Sequence, residues 1–157
     1  MSILHKIVSG GQTGVDRAAL DVALALGVNA GGWCPDGRLA EDGRIPGRYP
    51  VIPLPGAGYR QRTKRNVADS DGTVIIYFGS PSGGTEQTLL CSIQMQKPYL
   101  LIDATELSVA RASDKLARFI REVGIGVLNV AGPRASGAPE AYSYTYRLLE
   151  SLLGYRA

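Results

Sequence analysis

Three short segments of this 157-residue chain concentrate residue types suited to holding an anion. They are Ser9-Gly10-Gly11-Gln12-Thr13-Gly14, Gly79-Ser80-Pro81-Ser82-Gly83-Gly84-Thr85 and Gly132-Pro133-Arg134-Ala135-Ser136-Gly137. Glycine permits positive φ angles and lets a bound group approach the backbone closely. Successive N–H groups in such turns can converge on phosphate oxygens. Gln12, Thr13, Ser80, Ser82 and Thr85 add side-chain donors, and Arg134 adds a guanidinium fork. Arginine supplies 13 of the 17 basic residues, and its planar fork matches phosphate oxygens where lysine offers a point charge. The chemistry implied is recognition of a phosphate-bearing anion. His5 is the only histidine, which argues against a His-based zinc site or a Ser-His-Asp triad. Cys34 and Cys91 stand far apart, with no cysteine partner at metal-ligand spacing, and read as free thiols of a reducing compartment.

The elements around these segments predict how they meet. Residues 4–8 read as a strand. Val15, Ala18, Ala19, Val22 and Leu26 fall at helical spacing, with Gly27 as the stop. A short strand is expected over Ala30–Cys34. Residues 35–58 are rich in glycine and proline and read as a long ordered loop, since loops of that length inside a domain are usually functional or disordered. A basic helix is expected over Tyr59–Ser70, a strand over Thr73–Phe78, a helix from Thr85 to Gln96 and a strand over Tyr99–Ile102. Val109 to Val123 carry an amphipathic pattern closed by Gly124, and Val127–Ala131 is the last strand. Pro139 suits the first turn of a final helix whose apolar stripe is Tyr142, Tyr146, Leu149 and Leu153. The apolar run at 73–78 suits a strand buried on both faces of a parallel sheet.

Strand, loop and helix alternate throughout. The prediction is one α/β domain over 1–157, with a mostly parallel sheet between two helical layers. Every strand-to-helix loop of such a sheet emerges at its carboxyl edge, so the three glycine-rich segments should share that edge, each feeding a helix N-terminus that favours an anion. The Walker loop is absent, because no Gly-Lys pair occurs. The dinucleotide fingerprint is broken by Ser9 where its first glycine would lie. A net charge of +3 is too small to indicate nucleic acid by itself. No apolar run is long enough for a membrane span, and the start of the chain lacks a signal-peptide core, so a cytoplasmic protein is expected.

Longer strings carry a resemblance. Gly10-Gly11-Gln12-Thr13-Gly14-Val15-Asp16-Arg17-Ala18-Ala19 and Gly32-Trp33-Cys34-Pro35-Asp36-Gly37-Arg38 resemble the signatures of the molybdenum carrier family, the molybdenum cofactor carrier-like proteins. Ala40-Glu41-Asp42-Gly43, Arg62-Thr63, Asn66-Val67, Asp69-Ser70-Asp71-Gly72-Thr73, Gly83-Gly84-Thr85 and Asn129-Val130-Ala131-Gly132-Pro133-Arg134 continue the match in order. The resemblance implies a Rossmann-like three-layer α/β/α sandwich, within a group that includes the LOG phosphoribohydrolases and the DprA proteins. It implies that the ligand is molybdenum cofactor (molybdopterin) or a related molybdate or phosphate anion. Its partners would be molybdoenzymes or cofactor-biosynthesis proteins, with a homo-oligomer expected.

The expected ligand-binding residues are Gly10, Gly11, Gln12, Thr13, Gly14, Arg17, Trp33, Arg38, Ser80, Ser82, Gly83, Gly84, Thr85 and Arg134. Several have second readings. Trp33 either stacks on a flat ring or packs in the core. Arg17, Arg38 and Arg134 either meet an anion or sit at the surface. Cys34 is either a soft ligand for molybdenum or simply buried. Asp16 caps its helix or pairs with an arginine. The basic run at 60–65 either guides an anion or nucleic acid, or forms a solvated face. Two rivals remain: a nucleoside-monophosphate hydrolase of the LOG type, and a DprA-like nucleic-acid binder. The hydrolases carry Gly-Gly-x-Gly-Thr-x-x-Glu. Here Thr88 falls at the glutamate position, with Glu86 nearby, so the expectation is a binding protein rather than a catalyst.

Overall fold

The computed structural model describes residues 4–154. Its centre is a five-stranded sheet of β1 (Lys6–Val8), β2 (Asn29–Gly31), β7 (Gly72–Tyr77), β8 (Tyr99–Asp103) and β9 (Val127–Ala131). The order across the sheet is β2-β1-β9-β7-β8, and every neighbouring pair is parallel. β7 is the strand whose unbroken apolar run suits burial on both faces: Val74, Ile75 and Ile76 have no exposed surface.

Among the described residues five α-helices cover the sheet: α1 (Val15–Ala25), α2 (Tyr59–Ala68), α3 (Gly83–Gln94), α4 (Val109–Val123) and α5 (Ala141–Gly154). α1 packs on α5 and α5 on α4, while α2 packs on α3. The chain steps outward from β1 to β2 in one direction and from β7 to β8 in the other. With right-handed crossovers, that reversal puts α1 and α3 on opposite faces and completes the Rossmann-like sandwich. The main core joins Val15, Ala19 and Val22 of α1, Leu116 and Ile120 of α4 and Leu148 and Leu149 of α5 to the sheet residues Ile7, Val74, Ile76, Ile102 and Leu128.

Helix ends follow local chemistry. Gly27 takes φ 69°, and Val28 N–H reaches back to the Ala23 carbonyl at 2.8 Å, a Schellman closure. Ser108 Oγ accepts from Arg111 N at 3.2 Å and caps α4. The final helix differs from the sequence expectation. It begins at Ala141, so Pro139 lies in the turn before it. Its buried stripe is Ala141, Thr145, Leu148, Leu149 and Leu153, and Tyr142 points outward to donate to Asp21 Oδ2 at 2.5 Å. Tyr142 misled the periodicity because its hydroxyl seeks a polar partner, whereas Tyr146 packs half-buried against the core as expected.

The strand expected over Ala30–Cys34 is split. Gly32 has φ 129°, and a Cβ there would stand 2.0 Å from the Ser9 carbonyl oxygen. The chain turns away from β1 at this point. β3 (Trp33–Cys34) instead pairs in parallel with β6 (Ile52–Pro53), outside the main sheet. The segment at 35–58, which contains β6, is ordered as a small lobe. β4 (Leu39–Ala40) and β5 (Gly43–Arg44) form an antiparallel hairpin, and Leu20, Cys34, Ala40, Ile45, Tyr49 and Val51 make a second core.

Candidate functional site

The loops after β1, β7 and β9 emerge together, as the parallel register requires. The first and third touch, since a Cβ on Gly14 would lie 2.5 Å from the Pro133 carbonyl oxygen, and the third packs on β7, since a Cβ on Gly132 would lie 2.7 Å from the Ile76 carbonyl oxygen. Beside this junction, toward α2 and α3, lies a cavity of about 530 Å³. It sits where the chain's direction across the sheet reverses, the usual ligand crevice of such folds.

Seven of the expected residues line the cavity: Gly10, Gln12, Ser82, Gly83, Gly84, Thr85 and Arg134. The α3 side is the more open wall. Ser82 is extended, and α3 starts at Gly83, two residues before the predicted Thr85. No side chain caps this N-terminus, and added Cβ atoms at Gly83 or Gly84 would meet nothing within 4 Å. The first two N–H groups of the helix therefore remain available as donors. Thr85 is in the third position, where its own N–H already bonds the Ser82 carbonyl at 3.1 Å.

The β1 loop is built differently. Gln12 N–H bonds Asp16 Oδ2 at 3.2 Å, Thr13 N–H bonds Gln12 Oε1 at 3.0 Å, and Val15 N–H bonds the Pro133 carbonyl at 3.2 Å. Gln12 Oε1 also accepts from Glu41 N at 2.8 Å. The Thr13 hydroxyl donates to Glu41 Oε2 and accepts from Ala135 N–H at 3.1 Å. Gly11 and Gly14, both at positive φ, turn the chain away from the cavity, and with Thr13 they stand outside its wall.

Four further expected residues are placed elsewhere, each held by a definite partner or exposed. Arg17 donates from Nε to the Gly11 carbonyl at 2.9 Å and bidentately to Asp42 at 2.8 and 2.9 Å. Arg38 donates to the carbonyls of Ile45, Pro46, Tyr49 and Val51 at 2.7–3.1 Å and so pins the small lobe. Trp33 donates to Asp69 Oδ2 at 2.9 Å while Arg65 lies 4.4 Å over its ring. Ser80 is exposed in the bend before α3, outside the cavity wall. Cys34 is fully buried in the lobe, and burial raises its thiol pKa.

The deepest charged groups of the site are Asp16 and Arg62. They are 7% and 9% exposed, with Arg62 Nη1 3.7 Å from Asp16 Oδ2 and 2.7 Å from the Gly10 carbonyl oxygen. Burial pushes the Asp16 carboxyl above its ordinary value, and the Arg62 charge opposes that shift only in part. Of its two readings Asp16 follows the second: it pairs with an arginine, and its Oδ2 accepts from Gln12 N–H in the loop before α1, while no side chain caps the helix. Arg60 also lines the cavity, so the basic run divides: Arg60 and Arg62 face the site, and Arg65 faces Trp33.

The α2 contribution, Tyr59, Arg62, Thr63 and Asn66, was not among the expected site residues. Its signal was present as spacing: these positions are i, i+3, i+4 and i+7, a polar stripe on a helix face where an apolar one would be expected. Asn129 is the second omission. It is 3% exposed in the centre of β9, lines the cavity and donates to Thr73 Oγ1 at 3.3 Å. A lone amide inside an apolar strand was its signal. Glu86, the nearby carboxylate of the hydrolase reading, does not line the cavity, and the Thr88 hydroxyl donates to the Gly84 carbonyl at 3.0 Å.

Comparisons with known proteins agree with this architecture. Residues 7–153 match the model of the circularly permutated YpsA SLOG family. The crystal structure of the Putative molybdenum carrier protein from Syntrophus aciditrophicus SB is similar over 97% of this chain and 96% of that one, with 46% identity and a TM-score of 0.95. No curated protein matches the sequence. Among the described residues no helix is long and apolar enough to cross a membrane, and no group of three or more His, Cys, Asp or Glu could hold a metal ion.

Proposed function

This chain belongs to the circularly permutated YpsA SLOG family, and we propose that its cavity binds a phosphate-bearing anion, with molybdenum cofactor as the leading ligand. The observation that carries the reading is the uncapped N-terminus of α3, opening at Gly83 and Gly84 onto a cavity whose wall holds Arg60, Arg62 and Arg134. Helix N–H groups would take the phosphate, and the guanidinium groups would balance its charge. The name of the Syntrophus relative supports a molybdenum-bearing cargo. Such a cargo would bring its own metal ligands, so the protein would hold its oxygens rather than the metal. Mass spectrometry of ligand released from gently purified protein tests this. A phosphorylated pterin is expected. Absence of any co-purified ligand, together with no calorimetric binding of phosphate or molybdate, would overturn it.

Hydrolysis of nucleoside monophosphates is the second reading, and Asp16 is what favours it. Among the described residues its carboxyl is the only one on the cavity wall, although it is not at the position where the hydrolases keep their glutamate. Binding without turnover remains the expected outcome: AMP should release no free adenine. Release that disappears in Asp16→Asn would install the enzyme instead.

A further inference from the structure

Asp16 is an odd residue to find on the wall of an anion site. Three arginines share that wall with it, and it brings the one negative charge an incoming anion would meet at close quarters. Resting on the anion-binding reading, we infer that ligand binding is coupled to protonation of Asp16: the site takes up a proton as it takes up its anion, and releases the anion as the pH rises.

The geometry supports this in three steps. First, Asp16 is poorly solvated, its side chain being nine-tenths buried, and its opposing charges come from few places. From α2 it faces Arg62 at 3.7 Å. From its own helix it faces Arg17, whose charge is already neutralised by the bidentate Asp42 pair. The loop after β1 offers only backbone groups, Gln12 N–H and Gly10. β9 contributes the uncharged Asn129 to the same cavity. Arg60 and Arg134 stand on the wall with no close carboxylate ion pair among the described residues, Arg134 acting on Glu41 only at longer range, and both are placed to follow an anion.

Second, the Asp16–Arg62 contact is loose. At 3.7 Å it is an ion pair without a direct hydrogen bond. Arg62 spends Nη1 on the Gly10 carbonyl and Nε on Thr63 Oγ1 at 3.3 Å, and its Nη2 donates to no described residue. That nitrogen is the natural donor to a ligand oxygen. Third, an anion engaging Arg62 divides the largest of the charges that keep Asp16 ionised and adds a like charge beside it. Both changes favour the neutral acid. Burial alone already holds the carboxyl above its usual range, so a further rise brings it toward the working pH. The proton taken up removes the repulsion, and a neutral Asp16 still accepts from Gln12 N–H through its carbonyl oxygen.

The sign follows directly. Between the Asp16 pKa of the free protein and its higher value in the complex, affinity falls as pH rises, by up to about tenfold per unit. Sulfate is the probe, because it remains a dianion across the range used. Calorimetry at several pH values, in buffers of differing ionisation enthalpy, counts the protons taken up. Wild type should take up a fraction of a proton that peaks between the two pKa values, and should bind more tightly at the acid end. Asp16→Asn should bind sulfate with no proton uptake and no such pH dependence, at least as tightly as wild type at its best. Sulfate binding with zero uptake at every pH overturns the linkage and leaves the anion site standing. No sulfate binding at any pH overturns the anion site and the linkage with it. If Asp16→Asn fails to fold, the proton count on wild type decides alone.

Discussion

The loop after β1 and the loop after β7 look alike as strings. Each follows a parallel strand, each is rich in glycine with interspersed Ser, Thr or Gln, and each ends in a helix. In the fold they are opposites. The β1 loop spends its donors on itself and its neighbours: Gln12 N–H on Asp16, Thr13 N–H on the Gln12 side chain, Val15 N–H on Pro133. The β7 loop keeps the start of α3 uncapped and unobstructed. Glycine content therefore reports only that a backbone can come close to something. In the first loop that something is the protein; in the second it is the cavity. What separates the two is a carboxylate one turn downstream. Asp16 closes the first loop, and α3 has no equivalent directed back at its own N-terminus.

Alanine substitutions should break this comparison most sharply. Gly14 holds φ 80°, and its added Cβ would lie 2.5 Å from the Pro133 carbonyl oxygen and 2.9 Å from Ala135 N, both backbone atoms that cannot step aside. Gly14→Ala is expected to cost about 3 kcal/mol and to lower the melting temperature by roughly 6–12 °C. Gly84→Ala meets open space and should change stability by less than about 0.5 kcal/mol. Equal losses in the two proteins, measured by thermal denaturation, would mean that the β7 loop is as tightly knit as the β1 loop.

A pair of arginines sharpens the same contrast. Arg38 satisfies four carbonyls of the small lobe, so Arg38→Ala strips their donor and should cost about 2 kcal/mol of stability with anion affinity intact. Arg134 lines the cavity, and Arg134→Ala should weaken anion binding severalfold with little change in stability. Loss of affinity in Arg38→Ala, in protein shown to be folded, would return that residue to the site.

The sequence made the sheet, the shared edge and the glycine-rich walls legible because they follow from period and connection alone. The apolar run of β7 and the strict alternation of strand and helix leave few topologies. Which arginine reaches the ligand was not legible, because that depends on the lobe at 35–58. Arg38 looks like an anion binder until the fold wraps four carbonyls around it. Arg62 looks like one charge of a solvated run until α2 turns it inward beneath Tyr59, whose ring lies 5.5 Å from its guanidinium. Trp33 behaves likewise: its ring face is taken by Arg65, a residue 32 positions away in sequence.

The direct test of the open loop is smaller in energy. Gly84→Val should weaken phosphate or molybdate binding about tenfold or more, the loss of one charged hydrogen bond or the space for it. The reason is volume alone. The positive φ angles of this loop belong to Gly79, at 90°, and Gly83, at 54°, and Gly84 is helical. Calorimetry on protein verified as folded by circular dichroism settles it, and equal affinity in wild type and variant would remove α3 from the site.

The smallest expected effect concerns the clip that closes the β1 loop. Glu41, from the turn of the β4–β5 hairpin, accepts from the Thr13 hydroxyl and from Ser136 Oγ and N–H at 2.5 and 3.2 Å. It thereby ties the first loop to the third across the lobe. The Ser136 and Thr13 hydroxyls hold its carboxyl below the ordinary value of 4.5. A depressed folded-state pKa gives stability that is fully present above the unfolded value and is lost as pH falls through the folded one. The group is exposed, so the contribution is discounted to at most about 1 kcal/mol. Glu41→Gln should therefore melt slightly below wild type at neutral pH, and the gap should close as the pH drops below 4.5. Anion affinity should not change, because the clip serves the loop that holds itself shut. A stability gap that persists unchanged in acid would show that the Glu41 charge plays no part in closing it, and a fall in affinity would show that the closed loop matters to the ligand after all.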